Sequence, residues 1–157
     1  MEHLELGLFE QAGEAARLLV SDQLGVVYFS WHRRGVKIWF DSKDCPREHY
    51  EAQTVGRVHV DGVTGTAVEV GFHSEHREES DNQFIVDALV AKRKTWGDEL
   101  GEEAVAGPFI GNETWRRLSE TWIEPDLEHD DELGFELGSR LADYMLTLEP
   151  LVKPLRR

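Results

Sequence analysis

Between Glu69 and Ser80 the chain reads EVGFHSEHREES. Two histidines, His73 and His76, stand among carboxylates where an alternating apolar run gives way to polar residues. Imidazole nitrogens and carboxylate oxygens are the donors that zinc takes, three or four at a time and at about 2.0–2.2 Å. They are also the groups that move protons in general acid–base catalysis. Spacing decides which residues can act together. In an extended strand alternate residues face opposite sides, so His73 and His76 share an ion only if the chain turns at Ser74–Glu75.

A better set comes from the preceding strand. HYEAQTVGRVHV (49–60), DGVTG and TAVEVGF (66–72) read as a hairpin with glycines in its turn. Pairing Val60 with Thr66 sets Arg57 opposite Glu69, Val55 opposite Gly71, Gln53 opposite His73 and Glu51 opposite Glu75. Arg57 against Glu69 is the opposite-charge pair a ladder favours. Alternation then gives one face of Tyr50, Val58, Val68, Val70 and Phe72, expected in the core. The other face carries His49, Glu51, Gln53, Arg57, His59, Glu69 and His73. On it His73, Glu51 and His49 form a candidate metal set for a divalent ion such as zinc. Alternatively, His73 and Glu51 serve as base and acid of a small hydrolase. The plainer expectation is a solvated face whose histidines titrate near pH 6.5. The opposed Glu51 and Glu75 repel; a cation, Arg77 or fraying of the strand at Glu75 relieves them, and fraying is the reading adopted.

Upstream, GVVYFSWHRRGVKIWFD is a second pair of strand-like runs. A three-residue loop, Arg33-Arg34-Gly35 with glycine in the left-handed position, joins them. His32 then pairs with Val36, and Phe29, Trp31, Lys37 and Trp39 share a face. Aromatic rings beside basic residues are the chemistry of single-stranded nucleic-acid binding. Covered core strands with a basic turn are the structural alternative, and the charge of the chain favours it. With 31 acidic against 17 basic residues the net charge is −14, which repels a phosphate backbone.

The remaining elements must position these groups. Residues 4–20 place Leu8, Ala12, Ala15 and Leu19 at helical spacing. Ser80 and Gln83 form a capping box that opens a helix through Trp96, its apolar face being Phe84, Ile85, Ala88 and Leu89. AVAGPFIGNETWRRLSETWIEP holds one or two short strands. DLEHDDELG starts an acidic final helix whose face is Leu133, Leu137, Leu141, Tyr144, Met145 and Leu148, and Pro150 stops it. That face is wide enough for both core and partner contact, so a homodimer through residues 130–149 is an option. The fold class expected is α+β: an antiparallel sheet of two hairpins plus one or two further strands, with three helices packed mainly on one face.

The chain has 157 residues, the size of one domain spanning 1–157. It has no apolar run of about 18 residues and an acidic N-terminus unlike a secretory signal. With one cysteine, Cys45, it has no intramolecular disulfide. A cytoplasmic location is expected. Cys45 lies between Lys43 and Arg47, cations that favour a thiolate. There is no HExxH, paired CxxC, phosphate loop, G-x-S-x-G elbow or dinucleotide fingerprint.

The strand TAVEVGF, the helix NQFIVDALVAKRKTWGDELGEE, the segment WRRLSETW and the ending LEPLVKP, together residues 66–150, resemble an uncharacterised domain found beside nuclease domains in bacterial restriction-type proteins. In texture the chain is similar to small uncharacterised actinobacterial proteins. The resemblance implies an accessory or binding role and transfers no site residue. The leading expectation is a non-enzymatic interaction or ligand-binding domain without a cofactor. Its partner is a protein or small molecule, and its surface includes Glu51, Gln53, Arg57, His73, Trp31 and Trp39. A small hydrolase or metal-dependent enzyme and a nucleic-acid accessory protein are the alternatives, and no membrane contact is expected.

Overall fold

The computed structural model describes residues 2–20, 24–56, 66–109 and 111–156. Helix α1 (Glu2–Leu19) precedes strands β1 (Val27–His32), β2 (Gly35–Phe40), β3 (Glu48–Val55) and β4 (Ala67–Ser74). Helices α2 (Glu79–Ala91) and α3 (Arg93–Leu100), strands β5 (Val105–Phe109) and β6 (Asn112–Trp122), and helix α4 (Leu133–Val152) follow. The strands form one antiparallel six-stranded sheet in the order β1-β2-β3-β4-β6-β5. The α+β antiparallel class is as expected; among the described residues there are four α-helices rather than the three expected, and the sheet takes both extra strands. No helix among the described residues is long and apolar enough to cross a membrane.

The core lies on one side of the sheet. Val36, Ile38, Tyr50, Ala52, Val68, Val70, Phe72 and Leu118 face Leu8, Phe9, Ala12 and Ala16 of α1 and Leu137, Leu141, Tyr144, Met145 and Leu148 of α4. All six residues of the expected α4 face are buried. The helix runs through Pro150 to Val152. Helices α1 and α4 cross closely because Gly138 has no side chain: a Cβ there would come within 2.6 Å of the Ala12 carbonyl and of the Ala15 Cβ. Helix α1 is turned so that Leu8, Phe9, Ala12 and Ala16 are buried and Leu19 is exposed.

Two buried carboxylates tie α4 to the sheet. Glu120 on β6 accepts from the Tyr144 hydroxyl at 2.8 Å and from Arg140 Nε at 2.9 Å. Glu149 accepts from the Tyr50 hydroxyl at 3.0 Å and from Arg156. Burial and the neighbouring carboxylate raise both tyrosine pKa values.

The local signals after β4 resolve differently from the reading of Ser80 as a cap. Helix α2 begins at Glu79, and its N-cap, Glu78, makes no side-chain cap bond. Buried Asn82 instead ties the turn before α2 to the sheet. Its Oδ1 accepts from Ser74 Oγ and the His76 amide, and its Nδ2 donates to the His76 and Thr114 carbonyls. The expected single helix through Trp96 breaks at Lys92. Trp96 folds back there and donates its indole N–H to the Leu89 carbonyl at 2.7 Å. Buried α2 residues are Asn82, Ile85, Val86 and Leu89, while Phe84 is 44% exposed.

In the first hairpin His32 pairs with Gly35, not Val36, and the turn is Arg33–Arg34 alone. Gly35 belongs to β2 because it packs against β3: a Cβ there would lie 2.8 Å from the Ala52 carbonyl. His32 Nδ1 accepts the Arg34 amide at 3.1 Å and fixes the tight turn. In the second hairpin Tyr50 pairs with Phe72, Gln53 with Glu69 and Val55 with Ala67. That differs from the expected register by an even step. The pairing is set where large core side chains meet, while Arg57, Val58, His59 and the turn glycines lie outside the described residues.

Candidate metal centre

His49 and Glu51 sit on β3 and project from the face away from the helices. The same face of β4 carries Glu69, Gly71 and His73, and Glu75 follows the strand end. His49 pairs directly with His73. The Glu75 amide adds one rung beyond β4, bonding the Arg47 carbonyl at 2.9 Å. The centre therefore consists of two H-x-E tripeptides, His49-Tyr50-Glu51 and His73-Ser74-Glu75, on neighbouring antiparallel strands with their histidines opposed.

The inward-facing atoms converge. His49 Nε2 lies 3.0 Å from Glu51 Oε1 and 3.7 Å from Glu75 Oε1. His73 Nδ1 lies 3.2 Å from Glu51 Oε1 and 3.2 Å from Glu75 Oε2. One donor atom from each of the four residues falls within 4.8 Å of all the others. Ligands about 2.0–2.2 Å from a tetrahedral ion stand about 3.3–3.6 Å apart. The four measured histidine–carboxylate separations, 3.0 to 3.7 Å, bracket that edge length.

The outward-facing nitrogens are anchored as well. His49 Nδ1 lies 3.0 Å from the Pro46 carbonyl. His73 Nε2 lies 2.7 Å and 2.9 Å from the two oxygens of Glu69. An imidazole that donates its far N–H to a carbonyl or carboxylate presents the near nitrogen as a lone pair, the arrangement found around protein-bound metals. Glu69 can reach His73 because Gly71 stands between them on the same face. Gly71 has φ of +152°, and a Cβ there would come within 2.6 Å of the Leu118 carbonyl. Gln53 Nε2 donates to Glu69 Oε1 at 3.2 Å. The Phe109 ring meets His73 edge-on at 4.8 Å, and Trp115 backs Phe109 at 5.7 Å.

This face is buried at its centre, against the expectation of a solvated sheet. His73, Glu69, His49, Glu51 and Glu75 are 0, 1, 2, 6 and 8% exposed. Burial alone would lower the His49 pKa; the Cys45 side chain, Glu51 and Glu75 outweigh it and raise it to about 9. Burial likewise opposes charge on His73, but Glu69 and Glu51 hold it well above the ordinary histidine value. Burial would raise Glu51; the two imidazoles instead hold it well below the usual carboxylate range.

A buried unpaired ion costs several kcal/mol, so three carboxylates require cations. Two imidazolium rings leave one net negative charge on the five residues. One divalent cation with two neutral rings leaves the same. Arg117, opposite His73 on β6, and Lys37, 3.9 Å from Glu75, supply positive charge around the cluster. The arrangement is thus suited to exchanging two protons for one dication at constant charge.

Of the residues singled out in the sequence, His49, Glu51 and His73 come together, and Gln53 joins through Glu69. Arg57 lies outside the described residues. His76 points away and pairs with Glu48 at 3.0 Å. The aromatic platform does not form. Trp39 is buried on the metal-centre face, stacked on Tyr28 and donating to the Ser42 carbonyl, whereas Trp31, paired with Val36, lies on the opposite face. Arg33 and Arg34 line a separate cavity of about 270 Å³ with Phe9 and Thr54. Cys45 is an exposed free thiol beside Pro46. Glu75 and Glu69 were missed as site residues, and the repeated H-x-E spacing was the signal for Glu75. Comparison with family models, curated proteins and solved structures gave no match.

Proposed function

We propose that this chain is a non-enzymatic binding module whose ligand is one divalent transition-metal ion of the zinc class, held by His49, Glu51, His73 and Glu75. The observation that carries this reading is the orientation of both imidazoles. Each has one nitrogen anchored outward, on Pro46 or Glu69, and the other aimed at two carboxylates. Two nitrogens and two oxygens suit zinc, with manganese and iron as neighbours in ligand preference.

Four protein ligands fill a tetrahedron, as in structural sites; catalytic sites keep one position open. The burial of all four donors supports binding over a hydrolase using His73 and Glu51. The opposed placement of Trp31 and Trp39 and the charge of −14 weigh against the nucleic-acid reading.

The test is a zinc titration of metal-stripped protein, followed by histidine NMR and native mass spectrometry. One ion per chain, selective shifts of His49 and His73 among the seven histidines, and loss of both effects in His73→Ala but not His32→Ala are expected. Uniform or absent shifts with no bound ion would sink the reading.

A further inference from the structure

On the helical side of the molecule a groove of about 730 Å³ runs between α1 and the start of α4. Leu18, Leu19 and Phe135 line it and are 82, 44 and 60% exposed. Single exposed apolar residues are ordinary, but three converging on one groove mark an interaction surface. Its rim carries Glu10, Asp131 and Glu14, the last paired with Arg17 one turn along α1.

Gly7, also in the groove, adds an independent observation. It lies inside α1, where glycine lowers helix stability relative to alanine. Unlike Gly138, it is required by no neighbour among the described residues: a Cβ there would meet none of them within 4 Å. Gly7 leaves the groove open where another chain would approach closely.

We propose that this groove docks an amphipathic helix of a partner protein, one whose apolar stripe is flanked by lysine or arginine. Helix-in-groove recognition needs an apolar trough of this kind. The rim and the net charge of −14 select a basic occupant by charge complementarity. A second copy of this chain would bring the same acidic rim against its own equivalent across a two-fold axis, opposing like charges.

The probe is a synthetic helical peptide with leucine at i, i+4, i+7 and i+11 and lysine on both flanks; a control carries glutamate flanks. Fluorescence anisotropy reads binding, and size-exclusion light scattering reads oligomeric state. The lysine peptide should bind roughly tenfold or more tightly than the control, and less so as salt rises. Gly7→Leu adds side-chain volume to the trough at a position where a Cβ meets nothing within 4 Å among the described residues. It should retain the circular dichroism of the parent with a Tm no lower, yet weaken the peptide roughly tenfold, as should Leu18→Ser. Equal binding of the two peptides, or binding that both variants leave intact, would overturn the proposal. So would a concentration-dependent dimer that Leu18→Ser dissolves.

Discussion

His49 and His73 are held protonated by carboxylates in the metal-free protein, and this has a definite sign. A histidine whose pKa rises on folding contributes stability below its unfolded value and loses it as pH climbs through the folded value. For His49 that window runs from 6.5 to about 9, and the rise corresponds to about 3 kcal/mol. The lowered Glu51 value reports the same ion pair from its other partner and is not added. Urea unfolding of metal-free protein at pH 6.5 and pH 9 should show that loss, and bound zinc should remove most of it. If zinc binds as proposed, it displaces two imidazolium protons, so log of the apparent zinc affinity should climb with pH at a slope approaching two where both rings are protonated. A slope near zero would mean that neither histidine is a ligand. Glu69→Gln keeps the side-chain shape but removes the carboxylate behind His73, and should weaken zinc roughly 10- to 100-fold. His49, Glu51 and His73 were legible as a set because their residue types and alternation are local. Glu75 is not, because its local sequence reads as the frayed end of a strand; its partner on the ladder is the Arg47 carbonyl, a distant backbone atom.

At the scale of elements, parity decided what the sequence could reveal. The β3–β4 register departs from expectation by an even step, so every described side chain of the pair stays on its assigned face and the candidate site keeps its members. The β1–β2 register departs by one residue, so Trp31 and Trp39 separate. The deciding residue, Gly35, looked like a turn glycine, yet the contact that requires it lies on β3 and is invisible in the sequence. Gly138 is similar: nothing local says that α1 crosses there. Gly138→Ala should destabilise the protein by about 1–3 kcal/mol, measured by chemical denaturation. Gly97→Ala, on α3 with only the Arg93 side chain near at 3.8 Å, should be neutral or mildly stabilising.

For the whole molecule, helices on one face and an acidic centre on the other give the sheet two unlike sides. Among the described residues no helix covers the face of His49 and His73, so an ion bound as proposed would join the two central strands. At a free concentration one hundred times its dissociation constant, zinc should stabilise the fold by about 2.7 kcal/mol. Calorimetry should show Tm rising with zinc and falling back on chelation. In His73→Ala the rise should vanish.

Phe109 has a consequence in time as well as in space. It belongs to β5, an edge strand, yet its ring rests on His73 at the middle of the sheet. For an ion held as proposed, we expect departure to be slowed where the Phe109 ring must swing clear of His73, a local opening with its own clock. Stripping by a chelator should therefore proceed at a rate that stops depending on chelator concentration. Phe109→Ala should shorten the residence time far more than it weakens the equilibrium affinity, so the edge of the sheet keeps the time for its centre.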